Sequence, residues 1–158
     1  MSGVSLRPLP RTEVASVHHL ELPEVQMPFA GRMTDITVGD PEDVDYHAVE
    51  AEDAVIGFFK IDTAYRERLG FGGPEDLGFR FFLIDHRYQG RGYAKAVMAA
   101  LPDYLRQHYP GRSVVWLTVN LKNHRAYQIY LSAGWEDTGD QYEGGPSGPQ
   151  HVMRLSLD

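Results

Sequence analysis

The stretch FRFFLIDHRYQGRGYAKAVMAAL, Phe79 to Leu101, decides how the rest of the chain is read. An apolar run ending at Ile84 meets a polar turn, then Gln89-Gly90-Arg91-Gly92-Tyr93-Ala94, and an amphipathic pattern begins at once. A strand that enters a glycine-bearing turn and opens a helix leaves backbone N–H groups free at the positive end of the helix dipole. Glycine there lets the backbone approach a ligand closely, so the turn is a candidate phosphate cradle. Two glycines before a helix can also be no more than a tight turn. The rest of the chain has to decide between these readings.

Working outward, Leu77 to Ile84 is apolar on both faces and is expected to be a central strand. Ala94, Val97, Met98, Leu101 and Leu105 recur at helical spacing, with Pro102 expected to kink or restart the helix and Pro110-Gly111 to end it. Val114 to Val119 is a second buried strand, and the strand–helix–strand order makes it parallel to the first. Asn123 caps a short helix with Ala126, Ile129, Tyr130 and Ala133 on one face, stopped by Gly134. Trp135–Tyr142 and His151–Leu157 read as two closing strands around the loop 144–149. Upstream, Ser5–Leu9 reads as a first strand and Thr12–Leu20 as a helix capped by Thr12. Residues 21–34 read as irregular or as a short helix, and Tyr46–Ala51 with Ala54–Ile61 as an antiparallel hairpin. The glycines at 70, 72 and 73 with Pro74 make 62–76 a loop that either receives a substrate or simply connects two strands.

At 158 residues the chain suits one domain, residues 1–158, with a single core. It contains no cysteine, which excludes disulfides and thiolate metal sites. The histidines show no metal-ligand spacing, so no metal is expected. No segment has the length of a spanning helix and the first residues lack the apolar core of a signal peptide, so the expectation is a cytoplasmic protein without a membrane partner. A net charge of −7 disfavours nucleic acid as a partner. Arg87, Arg91, Lys95, Lys122 and Arg125 nevertheless place local positive charge around the glycine turn and a later segment.

A dinucleotide fingerprint would need glycine where Lys95 stands, and the P-loop pattern is absent. Gln89-Gly90-Arg91-Gly92-Tyr93-Ala94 does fit the [RQ]-x-x-G-x-[GA] signature of the Gcn5-related N-acetyltransferases (GNAT). Asn120, Asn123, Ala126, Tyr130 and Gly134-Trp135 fit that family's later N-x-x-A-x-x-x-Y-x-x-x-G-[FW] pattern. The chain resembles this family well over 77–157 and acceptably over 46–61, and most resembles its small-amine acetylating members. The resemblance implies an α/β fold: a GNAT-like mixed, mostly antiparallel central sheet with splayed parallel central strands, flanked by helices. It implies acetyl-CoA as co-substrate and a small-molecule amine as acceptor, a polyamine-like cation among the candidates. A protein amino group or a non-catalytic acyl-CoA-binding module are the alternatives, and a homodimer through an apolar C-terminal hairpin is a further implication.

Residue by residue, the resemblance puts the pyrophosphate on backbone amides from Gln89 through Gly90, Arg91, Gly92 and Tyr93 to Ala94. The pantetheine arm lies along Leu83 and Ile84, and an N–H at Ile84 serves as oxyanion donor. Asn123 and Asn120 hydrogen-bond the cofactor, and Tyr130 protonates the leaving thiolate as general acid. An ordinary core tyrosine is the alternative for Tyr130, and Tyr127 is a weaker candidate for the acid. Some relatives carry a glutamate base near the start of the central strand. The matching position here is Gly78, which leaves Glu21, Glu24, Glu75, Asp76 and His86 as candidates for the base.

Overall fold

The computed structural model describes residues 3–21, 33–143 and 148–158. Seven strands form one sheet in the order β1-β2-β3-β4-β5-β7-β6. They are β1 (Ser5–Leu9), β2 (Val44–Ala51), β3 (Ala54–Asp62), β4 (Leu77–Ile84), β5 (Val114–Asn120), β6 (Glu136–Tyr142) and β7 (Gln150–Ser156). Every neighbouring pair is antiparallel except β4 with β5. The helices are α1 (Met33–Ile36), α2 (Tyr65–Leu69), α3 (Tyr93–His108) and α4 (His124–Ser132).

One face of the sheet is covered by α3 and α4. Val97, Met98, Leu101 and Leu105 of α3 are buried against Phe79, Val115 and Leu117. Full burial of each such side chain is worth roughly 1.5–3 kcal/mol. Pro102 does not restart the helix: α3 runs unbroken through it to His108. On the other face Leu9, Val17, Leu20, Met33 and Ile36 pack on Tyr46, Ala48, Phe58 and Leu83. The segment expected as a helix capped by Thr12 is instead a 3-10 helix over Arg11–Val17, preceded by Pro10 and lacking a side-chain cap bond. Proline has its φ already set for that position, and this displaces the threonine from the cap. The region 21–34 lies mostly outside the described residues, as does Gly144–Ser147 of the last loop.

The loop 62–76 is more than a plain connection. It contains α2, and the Tyr65 side chain is buried. Phe71 sits edge-on between Tyr65, at 5.4 Å between ring centroids, and Trp116, at 5.6 Å. The C-terminal hairpin, expected to offer an apolar face for pairing, has instead a mostly exposed and polar outer strand, β6. Charged residues on an edge strand work against further strand addition.

Candidate active site at the splayed strands

The parallel strands β4 and β5 pair only at their starts, Leu77 with Val115 and Gly78 with Trp116. Beyond Gly78 no pairing joins them among the described residues, although β4 continues to Ile84 and β5 to Asn120. The separation coincides with a β-bulge: the β3 register shifts between Phe58 and Lys60, and Phe81 takes φ of +55°. A bulge adds one residue to its strand, bends it and re-aims the residues beyond. Here it turns the last residues of β4 away from β5 and leaves their β5-facing backbone groups without a ladder partner. Such an edge accepts an extended ligand as an added strand.

A cleft of about 560 Å³ opens at this splay. Phe82, Leu83 and Ile84 form its strand wall, and Gln89, Gly90, Gly92, Tyr93 and Ala94 its turn. From α4 come Asn123, Ala126, Ile129 and Tyr130. The turn is held by side chains. Asp85 accepts from the Arg87 backbone N–H at 3.1 Å and binds its guanidinium at 2.6 Å. Burial works to raise the Asp85 carboxyl, and the Arg87 hydrogen bonds outweigh it and hold the group below its ordinary value. Gln89 reaches back to donate from Nε2 to the Ile84 carbonyl at 2.9 Å. Gly90 and Gly92 both have positive φ, and Gly92 is the cap of α3, so the free N–H groups of the first helical turn face the cleft end.

Two expected residues stand apart from the cleft wall. Arg91 lies over the Tyr88 ring and pairs with Glu52 at 3.4 Å. Asn120 accepts from the Lys122 backbone N–H at 2.9 Å and shapes the turn before α4. Asn123 lines the cleft while also capping α4 through the Ala126 N–H. Tyr130 lines it with 9% exposure, and burial pushes its hydroxyl above the ordinary tyrosine value. The alternative tyrosine is engaged elsewhere, since Tyr127 donates to Asp137 at 2.7 Å.

Sequence reasoning did not place Lys95, Arg125, Gln128 or Ser132 in the site, yet all line it. The positive charge at 95 and 125 was visible, and its position on the exposed side of helix starts was the available signal. Glu52 was also missed: from the β2–β3 turn it accepts from the Tyr93 hydroxyl and pairs with Arg91, tying that hairpin to the glycine turn.

Among the described residues, none of the base candidates lines the cleft. Glu21 and His86 are partners at 3.1 Å, and Asp76 accepts from Trp116 Nε1 at 2.7 Å. Glu75 is exposed, and Glu24 lies outside the described residues. Gly78 has a steric reason for lacking a side chain, since a Cβ there would fall 2.0 Å from the Tyr65 ring. Tyr65 fills the space where a side chain at 78 would lie.

The acetyltransferase (GNAT) family model matches residues 12–135, which takes in both signature segments, and the chain belongs to that family. Among curated proteins, an uncharacterized N-acetyltransferase of Bacillus subtilis (strain 168), YbbJ, is 28% identical over 107 residues, covering 67% of this chain and 66% of the relative. The match thus spans just under two thirds of that protein's length. Among solved structures, an aminoglycoside acetyltransferase AAC(6')-Ib in complex with coenzyme A superposes with a TM-score of 0.77 at 20% identity, covering 98% of this chain and 95% of the other. A spermidine N-acetyltransferase from Vibrio cholerae in complex with CoA and spermine gives 0.71 at 20% identity, covering 99% and 97%. These two likenesses establish the shared fold.

Proposed function

We propose that this chain transfers an acetyl group from acetyl-CoA to the primary amine of a small molecule. The observation that carries the reading is the splay of β4 from β5, with an unpaired strand edge, a glycine-bearing helix start and a tyrosine meeting in one cleft. The parts fit the co-substrate in chemical kind: backbone donors at Gly90 to Ala94 for phosphate, Lys95 and Arg125 for its charge, and the Leu83–Ile84 edge for an extended amide-bearing arm. Bound acetyl-CoA supplies an acyl group activated as a thioester.

Family membership supports the remaining roles. A backbone N–H at Ile84 would stabilise negative charge on the acyl oxygen. Attack by the amine forms the C–N bond, the C–S bond breaks, and the Tyr130 hydroxyl donates its proton toward the departing sulfur. Burial keeps Tyr130 protonated at neutral pH, so it meets the reaction as a donor. Its raised pKa makes complete transfer to a free thiolate uphill, so its contribution comes as charge develops on a desolvated sulfur. The amine's own proton leaves to water. The structural relatives include acetyltransferases of aminoglycosides and of spermidine, and a polyamine or a protein amino group is the comparison case here.

A second reading, an acyl-CoA-binding module without turnover, draws on the absent side chain at Gly78. Thiol release across an amine panel separates the two. The enzyme reading predicts turnover with at least one amine and a fall in kcat of about a hundredfold in Tyr130→Phe with KM little changed. Acetyl-CoA binding with no thiol release from any amine supports the module, and unchanged kcat in the variant removes the acid role.

A further inference from the structure

Alternation along the central strands divides the site into two sides. Val115, Leu117 and Val119 of β5 are buried under α3 and α4, so Trp116 and Thr118 face the opposite side and are only half-buried. In β4, Leu77 and Phe79 lie under α3, which puts Gly78 and Arg80 on that opposite side, and past the bulge Phe81 packs there too. The cofactor cleft is lined from the α3–α4 side. An amine must therefore reach Ile84 past Arg80, Phe81, Trp116 and Thr118.

The charges on this approach are unequal. Asp62 is fully buried and accepts from Arg68, from Arg80 at 3.2 Å and from the Ala64 N–H at 2.9 Å. Asp40 is taken by Lys60 Nζ at 2.7 Å and by the Tyr46 hydroxyl at 2.6 Å. Both carboxylates are thus already matched by cations. Arg68 has Asp43 as a second partner, whereas the Arg80 guanidinium spends one Nη1 bond on Asp62 and makes no other side-chain hydrogen bond among the described residues. A guanidinium carries five N–H donors, so Arg80 presents a half-exposed, pre-anchored fork. Phe81 is flanked by cations, with Lys60 Nζ 4.3 Å and Arg80 Cζ 5.5 Å from its ring centroid, and it keeps a φ of +55° that a bulky side chain rarely adopts. Strain of this kind persists where the surroundings impose it and clusters at ligand sites.

We infer that the acceptor is an amine that also bears a carboxylate, of amino-acid size, with the carboxylate received by the Arg80 guanidinium and the amine directed to Ile84. Arg80 and Ile84 are separated by roughly 13 Å along an extended strand, and by less across the bulge at Phe81. Asp40 and Asp62 are already matched by cations, so neither is free to receive a polyamine here. The inference rests on the acetyltransferase reading above.

The test compares, on the wild-type chain with acetyl-CoA, amino acids with their carboxamides and with spermidine, reading thiol release. The expected result is a kcat/KM for the acid at least about tenfold above its amide, the worth of one charge-assisted fork. This runs against intrinsic reactivity, since the amide's amine is the less basic and so the more deprotonated at neutral pH. In Arg80→Met the acid should lose about tenfold or more while the amide is unaffected, with acetyl-CoA affinity kept, and Arg80→Lys should recover part of the loss. Equal rates for acid and amide, a preference for spermidine, or an equal loss for every amine in Arg80→Met overturns the assignment. A chain that binds acetyl-CoA but acetylates no amine overturns the parent reading, and this one with it.

Discussion

His47 is a buried histidine with both ring nitrogens occupied. Tyr109 donates to Asp45 Oδ2 at 2.6 Å, so its oxygen is an acceptor for His47 Nε2 at 2.9 Å, which therefore carries the proton. His47 Nδ1 then accepts from the Tyr104 hydroxyl at 2.6 Å. Each donor has an acceptor only while the imidazole is neutral. Burial, with the charge of His108 adding to it, pushes its pKa down from 6.5 to about 3. Between those values the unfolded chain binds a proton that the native chain does not. Stability is therefore fully present above the unfolded pKa and is lost as pH falls toward 3. The upper part of that window, from about 6.5 to about 5.5, lies above most carboxylate titration, and comparison with a variant at this one position separates its share from the rest. Thermal melts across that window should show Tm falling as pH falls in the wild type and a much flatter limb in His47→Gln. The same slope in both would remove the role. Nothing in the pattern of β2 marked this residue, because its partners come from the far end of α3. Gly78 and Tyr65 were similarly unreadable as a pair: a missing side chain looks like a departure from a motif until the ring that occupies its place is seen.

At the scale of elements, β4 carries the most weight. Its bounds, and its parallel relation to β5, followed from two continuous apolar runs separated by a helical pattern. The helix cap at Asn123 was equally legible, because a capping residue acts locally. The bulge at Phe81 was not, since one extra residue in an apolar run leaves the pattern of the run unchanged. Yet the bulge falls along the part of β4 that runs free of β5 and walls the cleft. The position of the β4 end is set from the other side by Gly57, where a Cβ would come 2.8 Å from the Leu83 carbonyl oxygen and 2.9 Å from Ile84 Cδ1. Backbone cannot yield at that distance without moving the strand. Gly57→Val should therefore push Leu83 and Ile84 into the cleft and weaken acetyl-CoA binding by about tenfold or more, for a fold cost of about 1–3 kcal/mol. Wild-type affinity in a folded variant would show that the β4 end is not what the co-substrate contacts.

For the molecule as a whole, the sheet is a frame that brings two signature segments, about thirty residues apart in sequence, to one opening. The donor half was legible because its chemistry sits in short stretches: the glycine turn, the capped helix and Tyr130. The acceptor half was not, because it is assembled from single residues on separate strands, and part of 21–45 lies outside the described residues. The central claim remains that the turn from Gln89 to Ala94 holds the phosphates of acetyl-CoA at the splay of β4 and β5. Isothermal titration of the wild type and of Gly92→Glu with acetyl-CoA tests it most directly. One saturable site in the wild type, weakened by about a hundredfold or lost when a carboxylate is placed in the turn of a variant that still melts cooperatively, is the predicted result. No binding by the wild type, or equal binding by both, would contradict it.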